Sequence, residues 1–221
     1  MDVSDTLPIP EELLLLCADP VTGRLARPAS FARVIAGGVL AELLLAGAIT
    51  VDGRRISGYQ PLGTTEPVAA GVLTRLAGAG KRSWRFRLAS AITAVPRGSE
   101  HVFLDSLAAR GLVTAEPRRL FGIFPYRRFT ATGPGPTQAI ASRLWASLHT
   151  AAFLAETRPA VERDRQLAAL LGVVSLERRL FPGPEGKEVR HAVRALSRTL
   201  PIARAVRSVI SSDSSSAGSS G

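Results

Sequence analysis

The sequence predicts a mainly α fold: a single globular helical-bundle domain over residues 1–210 with short β-hairpins, one of them protruding and both basic and hydrophobic. Three observations predict it. Apolar residues recur at helical spacing along most of the chain, and 46% of residues are apolar against 21% charged, an ordinary globular balance. Two short stretches break that rhythm with hairpin signals. The length of 221 residues suffices to bury one substantial core.

The elements follow in order. IPEELLLLC at 9–17 reads as a short helix with Pro10 near its start and two acids in its first turn. Asp19-Pro20-Val21-Thr22-Gly23 is a tight turn, because proline presets φ and glycine accepts a positive one. Helical spacing runs from Ser30 to Leu45, with Gly47 as its stop. The apolar stretch Val34 to Val51 approaches the length of a spanning helix, but Glu42 and three glycines interrupt it, so a buried helix leading into a strand is expected. Ile49–Val51 and Arg55–Ser57 flank Asp52-Gly53, a hairpin signal. Helices are expected at 67–77, 83–95 and 99–110. Leu112 to Thr130 reads as a second hairpin, and Gly133 to Pro136 as a loop. Further helices are expected at 137–155, 160–172, 174–180 and 185–209. The Ser/Gly-rich stretch 211–221 is expected to be a disordered tail.

The sequence offers little catalytic chemistry. His101, His149 and His191 lie far apart without metal-ligand spacing, so no metal site is expected. Cys17, within LLLLCA, reads as a small core hydrophobe. No GxSxG occurs. Gly78-Ala79-Gly80-Lys81 fails as a phosphate loop, because Arg75 stands at the first glycine position and Arg82 where Ser or Thr must hold magnesium. No catalytic residue, cofactor or enzymatic activity is expected. A single cysteine excludes an internal disulfide framework. The acids Asp2, Asp5, Glu11 and Glu12 replace the basic start of a secretory leader, so the expected location is cytoplasmic.

The net charge of +10 comes almost wholly from arginine, since Lys81 and Lys187 are the two lysines. It is concentrated mid-chain. Lys81, Arg82, Arg85, Arg87 and Arg97 form one acid-free stretch, Arg118, Arg119, Arg127 and Arg128 a second, and Arg24, Arg27 and Arg33 a third. The C-terminal helices mix signs, as in Glu162-Arg163-Asp164-Arg165. Within the second stretch lies an apolar wedge, Leu120, Phe121, Ile123 and Phe124. Either these four face the core, or they form a hairpin tip that enters a bilayer interface while Arg118, Arg119, Arg127 and Arg128 hold lipid phosphates.

LPIPEELLLLCADPVTGRL, GGVLAELLLAGAITV, LAARGLVTAEPRRLFGIFPYRRF and RDRQLAALLGVVSLERRLFP resemble, in order and spacing over residues 7 to 205, the Golgi phosphoprotein 3 family, here in a bacterial branch. The resemblance implies a helical single domain. It implies a membrane-inserting hairpin at 112–130 with Leu120, Phe121, Ile123 and Phe124 at its tip. The family's eukaryotic members bind phosphatidylinositol 4-phosphate and grip cytosolic tails of glycosyltransferases. Their headgroup pocket uses a tryptophan and three arginines, and those positions fall at Arg27, Ala36, Arg97 and Glu100. One of the four is kept. Arg27, Arg85, Arg87 and Arg97 are therefore expected to form a looser site for anionic membrane lipid, on the cytosolic face of a membrane.

Two other readings compete. A helix followed by a basic hairpin suits a winged-helix nucleic-acid binder, but with Val102, Phe103 and Leu107 inward the helix would show Glu100 and Asp105 to phosphates. Nucleic acid is therefore disfavoured as partner. A lipid-independent scaffold, binding protein tails or forming a homo-oligomer through the hairpin, is the third reading.

Overall fold

The computed structural model describes residues 7–60, 67–78, 86–120, 124–149 and 159–218. Its first helix, α1 (Ile9–Leu16), is buried at every position, including Glu11 and Glu12. Eight consecutive buried residues require partners on all sides, and α1 packs against α2 (Phe31–Leu45), α5 (Glu100–Ala109), α6 (Gly135–His149) and α7 (Pro159–Val173). Helix α2 is the second central element and also touches α4 (Leu88–Ala94) and α10 (Pro201–Gly218). Its glycines have a packing reason. A Cβ on Gly37 would lie 2.6 Å from Val206 Cγ2 and 2.8 Å from Leu170 Cδ2, so a bare backbone lets α7 and α10 approach.

A buried ionic network ties the N-terminal helices to the C-terminal ones. Glu12, fully buried, accepts from Arg143 at 2.9 Å, and Arg143 also donates to Asp164 at 2.9 Å. Arg163 donates to Glu42 at 2.8 Å, and the Ile9 amide donates to the same Glu42 oxygen at 2.5 Å. Burial drives the Glu12 carboxyl above the usual carboxylate range, and Arg143 and Arg163 only partly oppose it.

The remaining elements complete one mainly α domain. Strands β1 (Ile49–Asp52), β2 (Arg55–Tyr59) and β3 (Phe86–Arg87) form an antiparallel sheet in that order. Strands β4 (Val113–Leu120) and β5 (Phe124–Ala131) form the second hairpin. Helices α3 (Pro67–Gly78), α8 (Glu177–Leu180) and α9 (Lys187–Thr199) fill the order. Among the described residues no helix is long and apolar enough to cross a membrane.

Several expectations are corrected. Phe86–Arg87, read as helix within 83–95, is strand, because it pairs with Arg55 and Ile56. The helix expected over 185–209 is two helices, since Pro201 cannot extend α9 and opens α10 instead. The expected disordered tail is helical to Gly218. Its serines bond back to carbonyls one turn earlier, Ser212 to Ser208, Ser214 to Ile210 and Ser215 to Ser211, at 2.9–3.0 Å. Asp213 then pins the segment to Arg33 Nε at 2.9 Å. Asp213 is the non-serine that the compositional reading passed over.

Candidate functional site

The β4–β5 hairpin is built from a buried base and an exposed distal part. In-register pairing runs from Val113↔Ala131 to Leu120↔Phe124, which leaves residues 121–123 to connect the strands. Val113 and Phe129 enter the core, and the Leu25 amide bonds the Phe129 carbonyl at 3.1 Å. Beyond Ala115 that support ends. Glu116, Pro117, Arg118, Arg119, Tyr126 and Arg127 are all exposed, so the hairpin projects from the bundle. Of the four hydrophobes expected at its tip, Leu120 and Phe124 end the two strands. Phe121 and Ile123, like the side chains of Leu120 and Phe124, lie outside the described residues.

The hairpin arginines divide into two groups. Arg118 donates to Glu116 at 2.9 Å and Arg127 to Asp105 of α5 at 2.6 Å, but all four side chains remain about half exposed, so water screens both pairs. Arg127 also lies over the Phe129 ring, 5.2 Å from its centroid. Arg119 is exposed, whereas Arg128 is half-buried and sits opposite Glu116 in the register. Tyr126, 42% exposed and paired with Arg118, is an interface-type aromatic that the sequence reading missed, since attention fell on the LFGIF stretch.

Helix α5 shows a different inward face from the expected one. Phe103, Leu104 and Leu107 are buried, while Val102 points outward. Its two outward carboxylates are both engaged, Asp105 by Arg127 and Glu100 by Arg27.

Of the expected headgroup quartet, Arg27, Arg87 and Arg97 are described, and each has its own surroundings. Arg27 is spent on Glu100, with Nη1 at 2.5 Å from Oε1 and both side chains mostly covered. Arg97 is 75% exposed and lies 3.6 Å from Asp213, which also holds Arg33. Hydrogen bonding from Arg33 keeps the Asp213 carboxyl below the usual range. Arg85 lies outside the described residues. Arg87 instead lines a crevice of about 260 Å³ with Arg54, Arg55, Arg204 and Ser208. In the sequence Arg55 only flanks a turn, and Arg204 lies in a helix of mixed charge. The sequence signal was present in Asp52-Gly53-Arg54-Arg55, but the approach of α10 was not legible.

Burial pushes the Cys17 thiol up to about 12, so it is not a thiolate at neutral pH. Among the described residues no cluster of His, Cys, Asp and Glu could hold a metal.

Compared with known families, residues 9–212 match the family described as Golgi phosphoprotein 3 (GPP34). Compared with curated proteins, the chain has no match.

Proposed function

The chain belongs to the Golgi phosphoprotein 3 family, and on that footing we propose that it is a non-enzymatic peripheral protein that docks on anionic phospholipid through the β4–β5 hairpin. One observation carries the reading: Arg118, Arg119, Tyr126 and Arg127 are exposed on a hairpin that extends past its last core contacts. Each cation near an anionic leaflet contributes about 1 kcal/mol, so three give attachment of only about 6 mM by themselves. A large apolar side chain contributes about 1.5–3 kcal/mol when fully buried, and less at an interface. The two terms together give reversible, composition-sensitive docking, which neither gives alone.

The same geometry favours a broad anionic preference over strict choice of the 4-phosphate. Two of the four positions at which the family places its headgroup pocket are Arg27 and Glu100, and these neutralise each other. Groove binding to nucleic acid is disfavoured, because the outer face of α5 carries Val102 and an Asp105 already paired to Arg127, and offers few side chains that could read bases. Cytosolic protein tails and a second copy of the chain remain partners in this proposal, to be tested once lipid binding is measured.

Flotation with neutral and anionic liposomes over a salt series tests the reading. Binding to anionic vesicles alone, weakened by salt, is expected. Absence of flotation, with duplex DNA bound along a steep salt slope, would replace it by the nucleic-acid reading.

A further inference from the structure

The Arg87 crevice has a charge arrangement that the fold compensates only in part. Arg55 is opposite Asp52 in the β1–β2 register and directly opposite Arg87 in the β2–β3 register. Like charges in that position repel, and sheets ordinarily avoid them. Arg54 adjoins Arg55 in the chain, and Arg204 approaches from α10, with Ser208 one turn further along the same helix. Among the described residues no carboxylate lies within salt-bridge distance of any of the four. Elsewhere in the molecule Arg27, Arg33, Arg143, Arg163 and Arg194 all have acidic partners. Four cations around one crevice, faced across the β1–β2 register by the carboxylate of Asp52, leave an excess of positive charge that an anion in the crevice relieves.

We infer that the crevice formed by Arg54, Arg55, Arg87, Arg204 and Ser208 is a binding site for a phosphomonoester dianion. Guanidinium forks match phosphate oxygens in bidentate geometry, and a terminal phosphate offers three such oxygens and two charges, where a phosphodiester offers two oxygens and one charge. The Ser208 hydroxyl supplies a neutral donor. At about 260 Å³ the crevice lies just below the size of drug-binding pockets, which suits a phosphate with part of a small headgroup. The site is distinct from the hairpin and from the Arg27–Glu100 position, and it does not rest on the membrane reading.

The test has a solution arm and a membrane arm. In the first, inorganic phosphate is titrated at constant ionic strength while arginine Nε–H resonances are followed by NMR. Saturable shifts at Arg55, Arg87 and Arg204, absent with chloride, are expected. In the second, vesicles of phosphatidylcholine carrying phosphatidic acid, a phosphomonoester, are compared with vesicles carrying phosphatidylglycerol at matched surface potential. Arg55→Ala/Arg204→Ala removes charge-assisted hydrogen bonds to the terminal phosphate and should cost on the order of a hundredfold in binding to phosphatidic acid, with a much smaller loss on phosphatidylglycerol. Arg118→Ala/Arg119→Ala should weaken both lipids alike. Phosphate shifts without any vesicle binding would support the site as one for free phosphate, while counting against the hairpin reading. No saturable shift at the three arginines, or equal loss on both lipids in Arg55→Ala/Arg204→Ala, would overturn the assignment. Thermal unfolding of the variant matching that of the parent confirms that its fold is retained.

Discussion

Arg27 Nη1 lies 2.5 Å from Glu100 Oε1, joining the segment before α2 to the start of α5. The resemblance implies headgroup-binding side chains at both positions, and in this chain an internal ion pair occupies them. Glu100→Arg reverses that arrangement, removing one acid and adding one cation at the same place. Affinity for anionic vesicles should rise roughly tenfold, measured by flotation; unchanged affinity would show that this corner stays away from the membrane.

The ionic network under α1 makes a stability prediction. Arg143→Ala leaves Glu12 and Asp164 without their shared cation and should cost about 3 kcal/mol. The Glu12 folded-state pKa, already raised by burial, rises further in this variant. A carboxyl raised on folding contributes stability that is full below its unfolded pKa and lost as pH rises through the folded value. The deficit against the parent should therefore be larger near pH 8 than near pH 5 in denaturant unfolding. A pH-independent deficit would remove Glu12 as its source.

Close approach at Gly37 is open to a simple substitution. Gly37→Ala puts a methyl 2.6 Å from Val206 Cγ2 and 2.8 Å from Leu170 Cδ2. Overpacking of this kind should cost about 1–3 kcal/mol in chemical unfolding, despite alanine's better helix propensity. A stabilised Gly37→Ala would mean that α7 and α10 yield freely.

The C-terminal segment shows what the sequence could and could not reveal. Periodicity found α1, α2, α3, α5 and α7 to within a few residues, because each buries a continuous apolar stripe. Both hairpins were legible from their turn and strand residues. Composition misplaced 211–218, because it counts serines and does not see that Asp213 reaches Arg33, 180 residues earlier. The neighbours of the expected binding arginines were hidden for the same reason: Arg27 meets Glu100, Arg87 lines the Arg204 crevice and Arg97 lies by Asp213.

Asp213 yields its own prediction. Its carboxyl is held low by Arg33, so its contribution is present above the ordinary carboxylate pKa and lost as pH falls through the lowered folded value. Asp213→Ala should reduce hydrogen-exchange protection over residues 210–216 while leaving α2 and α7 protected. Equal protection in parent and variant would mean that the serine back-bonds alone hold the last turns.

Docking itself is tested most directly at the hairpin tip. Cys17 is fully buried, so Phe121→Cys provides one accessible thiol for an environment-sensitive fluorophore. Anionic vesicles should shift its emission to the blue and shield it from aqueous iodide, whereas phosphatidylcholine alone should do neither. Emission that stays solvent-like while the protein floats with anionic vesicles would contradict hairpin insertion.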